Sequence, residues 1–223
     1  MTREAFHQEL ETLEAEALKM GALVERALAE ASEALVTLDG VQAQSALKFE
    51  PEINELHRMI RVRSIATMAL QAPVARDLRA LAAVQQVSAE LERMGDHAAG
   101  AAKRVARIRA SAPPSLRNDP TILPAFKRLS TQVEAQVSAV MAAYAASDAG
   151  QARIIAAQDA DVNTQYHTIV AVLVAAMAQD SATVQAASDL LFVAQGLERI
   201  GDRVTNICED IIFLATGEIE ELN

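Results

Sequence analysis

The chain has no Trp, one Cys and 3% aromatic residues, and its 223 positions include only 8 Gly and 6 Pro. A β-sandwich or barrel is excluded, because such folds need many turn residues and strands rich in β-branched and aromatic side chains. The single cysteine, Cys208, rules out an internal disulfide framework and any thiolate metal cluster, and it fits a reducing compartment. Positive charge is also short: 20 Lys and Arg against 30 Asp and Glu leave a net charge of −10. Nucleic acid and anionic membrane surfaces are poor partners for such a chain, whereas cations and basic patches on other proteins suit it. Long hydrophobic runs are missing as well. The longest, Ile169 to Ala178, is too short for a bilayer, which needs about 20 residues. The first residues, Met1 to His7, carry an acid where a signal peptide would be apolar. A soluble, cytoplasmic protein is expected.

What remains is dominated by Ala, Leu, Val, Glu and Arg, mostly strong helix formers. Breakers at Asp39-Gly40, Ala72-Pro73, 111–120, Asp148-Ala149-Gly150 and Asp180-Ser181 leave six segments of roughly 25 to 40 residues, within or beyond ordinary helix lengths. Pro51 falls inside the second segment, where it either kinks the helix or marks its true first turn. In the third segment Val84, Val87, Leu91, Met94, Ala98, Ala101, Val105 and Ile108 recur at spacings of three and four. In the sixth, Leu190, Val193, Leu197, Ile200, Val204, Ile207, Ile211 and Leu214 do the same. Each list is the apolar seam of a helix packed in a bundle.

The two lists are related by a constant offset of 106 positions. Leu91-Glu92-Arg93-Met94-Gly95-Asp96 returns as Leu197-Glu198-Arg199-Ile200-Gly201-Asp202. Earlier, Glu50, Ile53 and Asn54 match Asp159, Val162 and Asn163 at an offset of 109. The chain is therefore an internal duplication. The expected fold is all-α, two tandem symmetry-related three-helix bundles of six long helices, with repeats at 1–112 and 121–223.

The repeated polar element is an acid, three residues, then an acid or carboxamide: Glu50 with Asn54, Glu92 with Asp96, Asp159 with Asn163, and Glu198 with Asp202. Spacing of four places both side chains on one helix face, and paired carboxylates there repel by a few tenths of a kcal/mol. A cation would relieve that repulsion, and an all-oxygen donor set suits Mg²⁺, Mn²⁺, Ca²⁺ or ferric iron. At about 100° per residue, Glu92 and Asp96 lie roughly 130° and 170° from the centre of the seam, so they point away from the core. That placement argues against a ferritin-like di-iron oxidase, whose ligands face inward. From the residues alone two readings stand, a solvated acidic face and a cation site. Gly95 and Gly201 each cost about 0.5–1 kcal/mol inside a helix, so a matched pair implies close packing of another helix at that level. His97 and His57 lie near the acid motifs and could join a site. Arg93 and Arg199 could bridge to a carboxylate or an anion, and Cys208, beside the seam, reads as a buried small hydrophobe. Low aromatic content offers few anchors for a partner, with Phe6, Phe49, Tyr144, Tyr166 and Phe213 as the candidates weighed.

At the paired Leu-Glu-Arg-Met/Ile-Gly-Asp elements the sequence resembles the PhoU family, regulators of phosphate uptake. Met20 to Glu25, Asp77-Leu78-Arg79 and Phe213 to Glu218 extend the likeness along the chain. The resemblance implies multinuclear metal sites, of iron, manganese, magnesium or similar ions, on the outer helix faces. Carried over by position, the first uses Glu50, Asn54, Glu92 and Asp96, and the second Asp159, Asn163, Glu198 and Asp202. It also implies a non-enzymatic negative regulator of the phosphate-starvation response. Such an adaptor would be cytoplasmic, commonly a homodimer, and would reach the inner membrane only through partners. Those partners are the ATPase subunit of the phosphate ABC transporter and a phosphate-sensing histidine kinase. The family's Gly-Asp-His-Ala-x-Asn pattern is met only by halves here. The first copy has His97 but Gly100, and the second has Asn206 but Arg203, which implies unequal metal occupancy and a positive charge beside the second site. Two rivals follow from the residues: a metal-dependent hydrolase using the outward-facing carboxylates, and a helical scaffold that binds no metal.

Overall fold

The structure, a computed structural model, describes residues 3–222. Met1, Thr2 and Asn223, the ends of the two expected repeats, lie outside the described residues. Among the described residues there are nine α-helices, one 3-10 turn (Ser181–Thr183) and no strands. The helices are α1 (Arg3–Thr37), α2 (Gly40–Ala46), α3 (Glu50–Gln71), α4 (Arg76–Ser111), α5 (Pro114–Arg117), α6 (Ile122–Ala146), α7 (Ala149–Ala156), α8 (Asp159–Gln179) and α9 (Val184–Thr216). Helices α1, α3 and α4 pack on one another, as do α6, α8 and α9. The two three-helix bundles meet chiefly along α4 and α9, with α1 against α6 beside them.

Six long segments were expected, and two of them are split. The second divides into α2 and α3, and the fifth into α7 and α8. Pro51 marks the first turn of α3 and kinks nothing, since a proline there gives up a backbone N–H that has no partner in any case. Both short helices start alike. The Asp39 carboxylate accepts from the N–H groups of Val41 (2.8 Å) and Gln42 (3.4 Å). Its repeat, Asp148, accepts from Gly150 (2.9 Å) and Gln151 (3.0 Å). Each is an N-cap that satisfies helix donors otherwise left free, and each follows a left-handed residue, Leu38 (φ 54°) or Ser147 (φ 51°).

All sixteen seam residues of α4 and α9 are buried, the most exposed at 8%. They belong to one continuous apolar core that runs through both bundles. Truncating a buried Leu or Ile of this kind to Ala costs about 2–5 kcal/mol. Cys208 sits in that core with no exposure, and burial pushes its thiol up to about 12. Phe6 and Tyr144, two of the aromatic candidates for a partner surface, are buried in it too. Among the described residues no helix is long and apolar enough to cross a membrane.

Contacts across α4 and α9 fix their relative direction. Glu90 meets Arg203 and Asn206, the backbone carbonyl of His97 lies near Gly196, and Arg104 and Arg107 meet Asp189. Numbers rise along one helix as they fall along the other, so the pair is antiparallel. With the offset of 106, the crossing relates the halves by a pseudo-twofold axis near Met94 and Ile200.

Candidate functional site

The two helical glycines create the acid clefts. A Cβ on Gly95 would lie 3.1 and 3.2 Å from Ile53 side-chain atoms, so any larger residue there would push Ile53 back by a few tenths of an ångström and loosen the approach of α3 to α4. A Cβ on Gly201 would lie 3.3 Å from both Val162 Cγ1 and Asp159 Oδ1, which puts α8 in the same position against α9. Glu50 and Asn54 flank Ile53 along the helix, and Glu92 and Asp96 flank Gly95. Asp159, Asn163, Glu198 and Asp202 repeat that arrangement around Val162 and Gly201. The helix crossings thus bring the expected residues to two grooves, one per half.

Burial refines where they point. Asp96 and Asn54 are exposed, as expected. Glu50, Glu92, Asp159, Asn163, Glu198 and Asp202 are half-buried along the helix–helix grooves. In the second half, Asp159, Asn163 and Asp202 line a cleft of about 550 Å³, together with Arg203, Asn206 and Leu222. The Asn163 carboxamide donates to Asp159 Oδ2 at 2.8 Å. Burial and the Asp202 charge together hold the carboxyls of Asp159 and Glu198 above their ordinary range. That is the signature of like charges crowded with too little water.

The first half is arranged differently. The Lys103 ammonium donates to both oxygens of Glu50 at 3.1 Å. The residue equivalent to Lys103 in the second half is Glu209, whose carboxylate accepts from the backbone N–H of Leu222 at 2.9 Å. One cleft therefore carries its own cation and the other carries none at that place. Among the described residues, no three His, Cys, Asp or Glu side chains converge closely enough to hold a metal ion as they stand. The donor chemistry of the second cleft fits a hard cation, with side-chain rotation needed to close around it. In the first, Glu50 is already engaged by Lys103.

The remaining polar candidates have partners outside the acid pairs, Arg203 and Asn206 while also lining the second cleft. His57 Nδ1 lies 3.3 Å from the Ser88 hydroxyl. His97 faces α9, where burial, then Arg199 and Arg203, lower its ring below the usual histidine range. Arg93 bridges to Glu90 at 2.6 Å. Arg203, expected to add charge beside the second acid site, lies 3.8 Å from Asp202 but donates to Glu90 at 3.2 Å. Asn206, expected as a helper of that site, also donates to Glu90. The buried acids Glu90 and Asp189 were missed in the sequence, and they carry the ties between the halves. Phe192 was missed too, an aromatic that is 56% exposed.

The fold and the grooves define a class: an all-α chain of two tandem, symmetry-related three-helix bundles, each with a carboxylate-lined cleft where a glycine lets two helices meet. A family model described as the PhoU domain matches residues 17–105 and again 126–211. The phosphate-specific transport system accessory protein PhoU homologue of Clostridium acetobutylicum is 33% identical, with all of both chains covered. The homologue of Zymomonas mobilis is 35% identical over 97% of this chain and 89% of its own. The crystal structure of PhoU from Pseudomonas aeruginosa superposes with a TM-score of 0.89 at 30% identity, covering 96% of this chain and all of that one. The chain belongs to the PhoU family.

Proposed function

We propose that the chain is an accessory, regulatory protein of a phosphate-specific transport system and a negative regulator of the phosphate-starvation response. The observation that carries this reading is a matched pair of acid-lined clefts, built by Gly95 and Gly201, in a chain of the PhoU family. The names of its relatives, accessory proteins of phosphate transport, support the same direction.

Its activity is binding and not turnover. The two repeats, 1–112 and 121–223, present the clefts on opposite bundles. The chain acts as a cytoplasmic adaptor, commonly as a homodimer, between the ATPase subunit of the phosphate ABC transporter and a phosphate-sensing histidine kinase. It approaches the inner membrane through those partners. A hard metal ion, iron, manganese or magnesium in type, would be held in the second cleft by Asp159, Glu198 and Asp202 with the Asn163 carboxamide. When bound, such an ion supplies positive charge that offsets the repulsion now raising Asp159 and Glu198. The protein's own part is to hold α8 against α9 through the Val162–Gly201 contact so that the donors share one groove.

Deletion of the chain should derepress phosphate-starvation genes in phosphate-rich medium, and the wild-type chain should restore repression. Intact repression after deletion overturns the reading. Steady phosphoester turnover by the purified protein, abolished by Glu198→Ala and Asp202→Ala, would instead favour the hydrolase.

A further inference from the structure

The pseudo-twofold axis between α4 and α9 exposes one place where the halves do not match. On one side of the axis Glu90 is buried, its side chain 11% exposed. Its carboxylate accepts from Arg93 at 2.6 Å, and from Arg203 and Asn206 at 3.2 Å each. The offset of 106 puts Gly196 at the place of Glu90 and Arg199 at the place of Arg93. It puts His97 opposite as the counterpart of Arg203, and Gly100 as the counterpart of Asn206.

Those four counterparts line a single hollow of about 310 Å³, together with Arg104 and Phe192. Two glycines stand where the other side has a glutamate and an asparagine, and the space those side chains would fill is open. A Cβ on Gly196 would meet nothing closer than 3.8 Å, and one on Gly100 nothing closer than 3.9 Å. Of the two arginines around Glu90, one is kept on this side as Arg199, while His97 replaces the other and Arg104, at the place of Asp210, is a cation found on this side alone. Arg199 is exposed and makes no hydrogen bond or ion pair among the described residues. Arg104 donates from one terminal guanidinium nitrogen to the Gly100 carbonyl at 3.2 Å and pairs with Asp189 at 3.8 Å, and its buried Nε has no hydrogen-bond partner. Its guanidinium lies over the exposed Phe192 ring, 4.8 Å from the centroid.

We propose that this hollow binds a small oxyanion, of carboxylate or phosphate type, at the place that the Glu90 carboxylate fills on the other side of the axis. Arg199 and Arg104 supply charge-assisted donors for it, and His97 adds a ring nitrogen. Phe192 offers an apolar wall for whatever body carries the anionic group, and the volume is in the usual range for small-molecule sites. Asp96 in the lining and Asp189 behind Arg104 oppose the anion, and Arg199, Arg104 and Arg107, which meets Asp189 at 3.2 Å, outnumber them. The site borders the first acid cleft at Asp96, uses none of the second cleft's residues, and does not depend on metal.

Calorimetric titration of the purified chain with inorganic phosphate and with succinate, at constant ionic strength, tests the proposal. Saturable binding of at least one, with one site per chain, is expected, and the stronger probe tells phosphate from carboxylate. Arg199→Gln should weaken that binding tenfold or more. Gly196→Glu, which tethers a carboxylate in the hollow, should abolish it and raise the melting temperature. Failure of both anions to saturate overturns the proposal. So does binding that survives either substitution unchanged, which would place the anion elsewhere, the acid clefts included.

Discussion

Lys103 Nζ stands 3.1 Å from each carboxylate oxygen of Glu50, and the residue that takes its place in the second half is Glu209. Glu50 of the first cleft is thereby neutralised from within, while in the second Asp159 is met only by the neutral Asn163 carboxamide and Arg203, engaged by Glu90, stays 3.8 Å from Asp202. Metal uptake is expected to be unequal. After equilibration with Mn²⁺ and removal of the excess, elemental analysis should find most of the metal lost in an Asp159→Asn, Asp202→Asn variant. Asp96→Asn should lose little. Lys103→Ala frees Glu50 and should raise the metal content above wild type. Its effect on stability should stay within about 1 kcal/mol, because the pair is partly exposed. Equal losses from the two halves would contradict this asymmetry.

Glu90 is the acid on which the antiparallel pairing of α4 and α9 turns. Three donors from two helices meet its carboxylate, and Arg203, with 19% of its side chain exposed, has little water to fall back on. Glu90→Ala should lower stability by about 2–4 kcal/mol, since a lost partner leaves partly buried charge uncompensated. Glu90→Gln should cost less, because the carboxamide oxygen still accepts from Asn206 or Arg203. Urea unfolding measures both, as a fall in midpoint with unchanged slope. A loss below 1 kcal/mol for Glu90→Ala would mean that apolar packing alone aligns the halves.

The apolar seams were legible because burial imposes a period that sequence records directly, from Val84 to Ile108 and from Leu190 to Leu214. Gly95 and Gly201 were legible for a related reason: glycine is disfavoured in a helix unless something touches it, and Ile53 and Val162 do. The start of α3 was signalled by Pro51, one of whose two readings was the first turn of a helix. The split of α7 from α8 was not legible, since residues 157–158 contain no Gly or Pro to announce a break. Buried Ala43, Ala46, Ala152, Ile155 and Ala156 show the short helices seated in the core, a tertiary effect. Acid pairing was hidden in the same way. Within its own helix Glu90 reads as one more surface acid beside Arg93, and its other cation, Arg203, lies 113 positions away. Arg203 does stand beside the second acid site, 3.8 Å from Asp202, and what the sequence did not show is that the antiparallel crossing also gives it Glu90 at 3.2 Å.

Asp210 supplies a pH dependence whose sign can be worked out. It lies half-buried near the end of α9, in a hollow with Glu209, Glu220 and Gln86, and it makes no hydrogen bond or ion pair among the described residues. Burial first, then the charges of Glu90 and Glu209, push its carboxyl up to about 7 from an ordinary 3.8. Among the described residues no cation lines that hollow, and the nearby Arg153 is taken up by Glu220 at 2.7 Å. Between those two values the folded chain holds a proton that the unfolded chain has released. Its contribution to stability is therefore full below about pH 4 and is lost as pH rises through 7. Asp210→Asn, which keeps the shape and removes the ionisation, should stabilise the protein at pH 8 by up to about 4 kcal/mol. The gain should shrink steadily on acidification and vanish near pH 4. Urea melts of both proteins from pH 4 to 8 give the difference directly. A gain independent of pH would show that the substitution acts through packing, and a loss at pH 8 would show that the Asp210 carboxylate has a favourable partner in the folded chain.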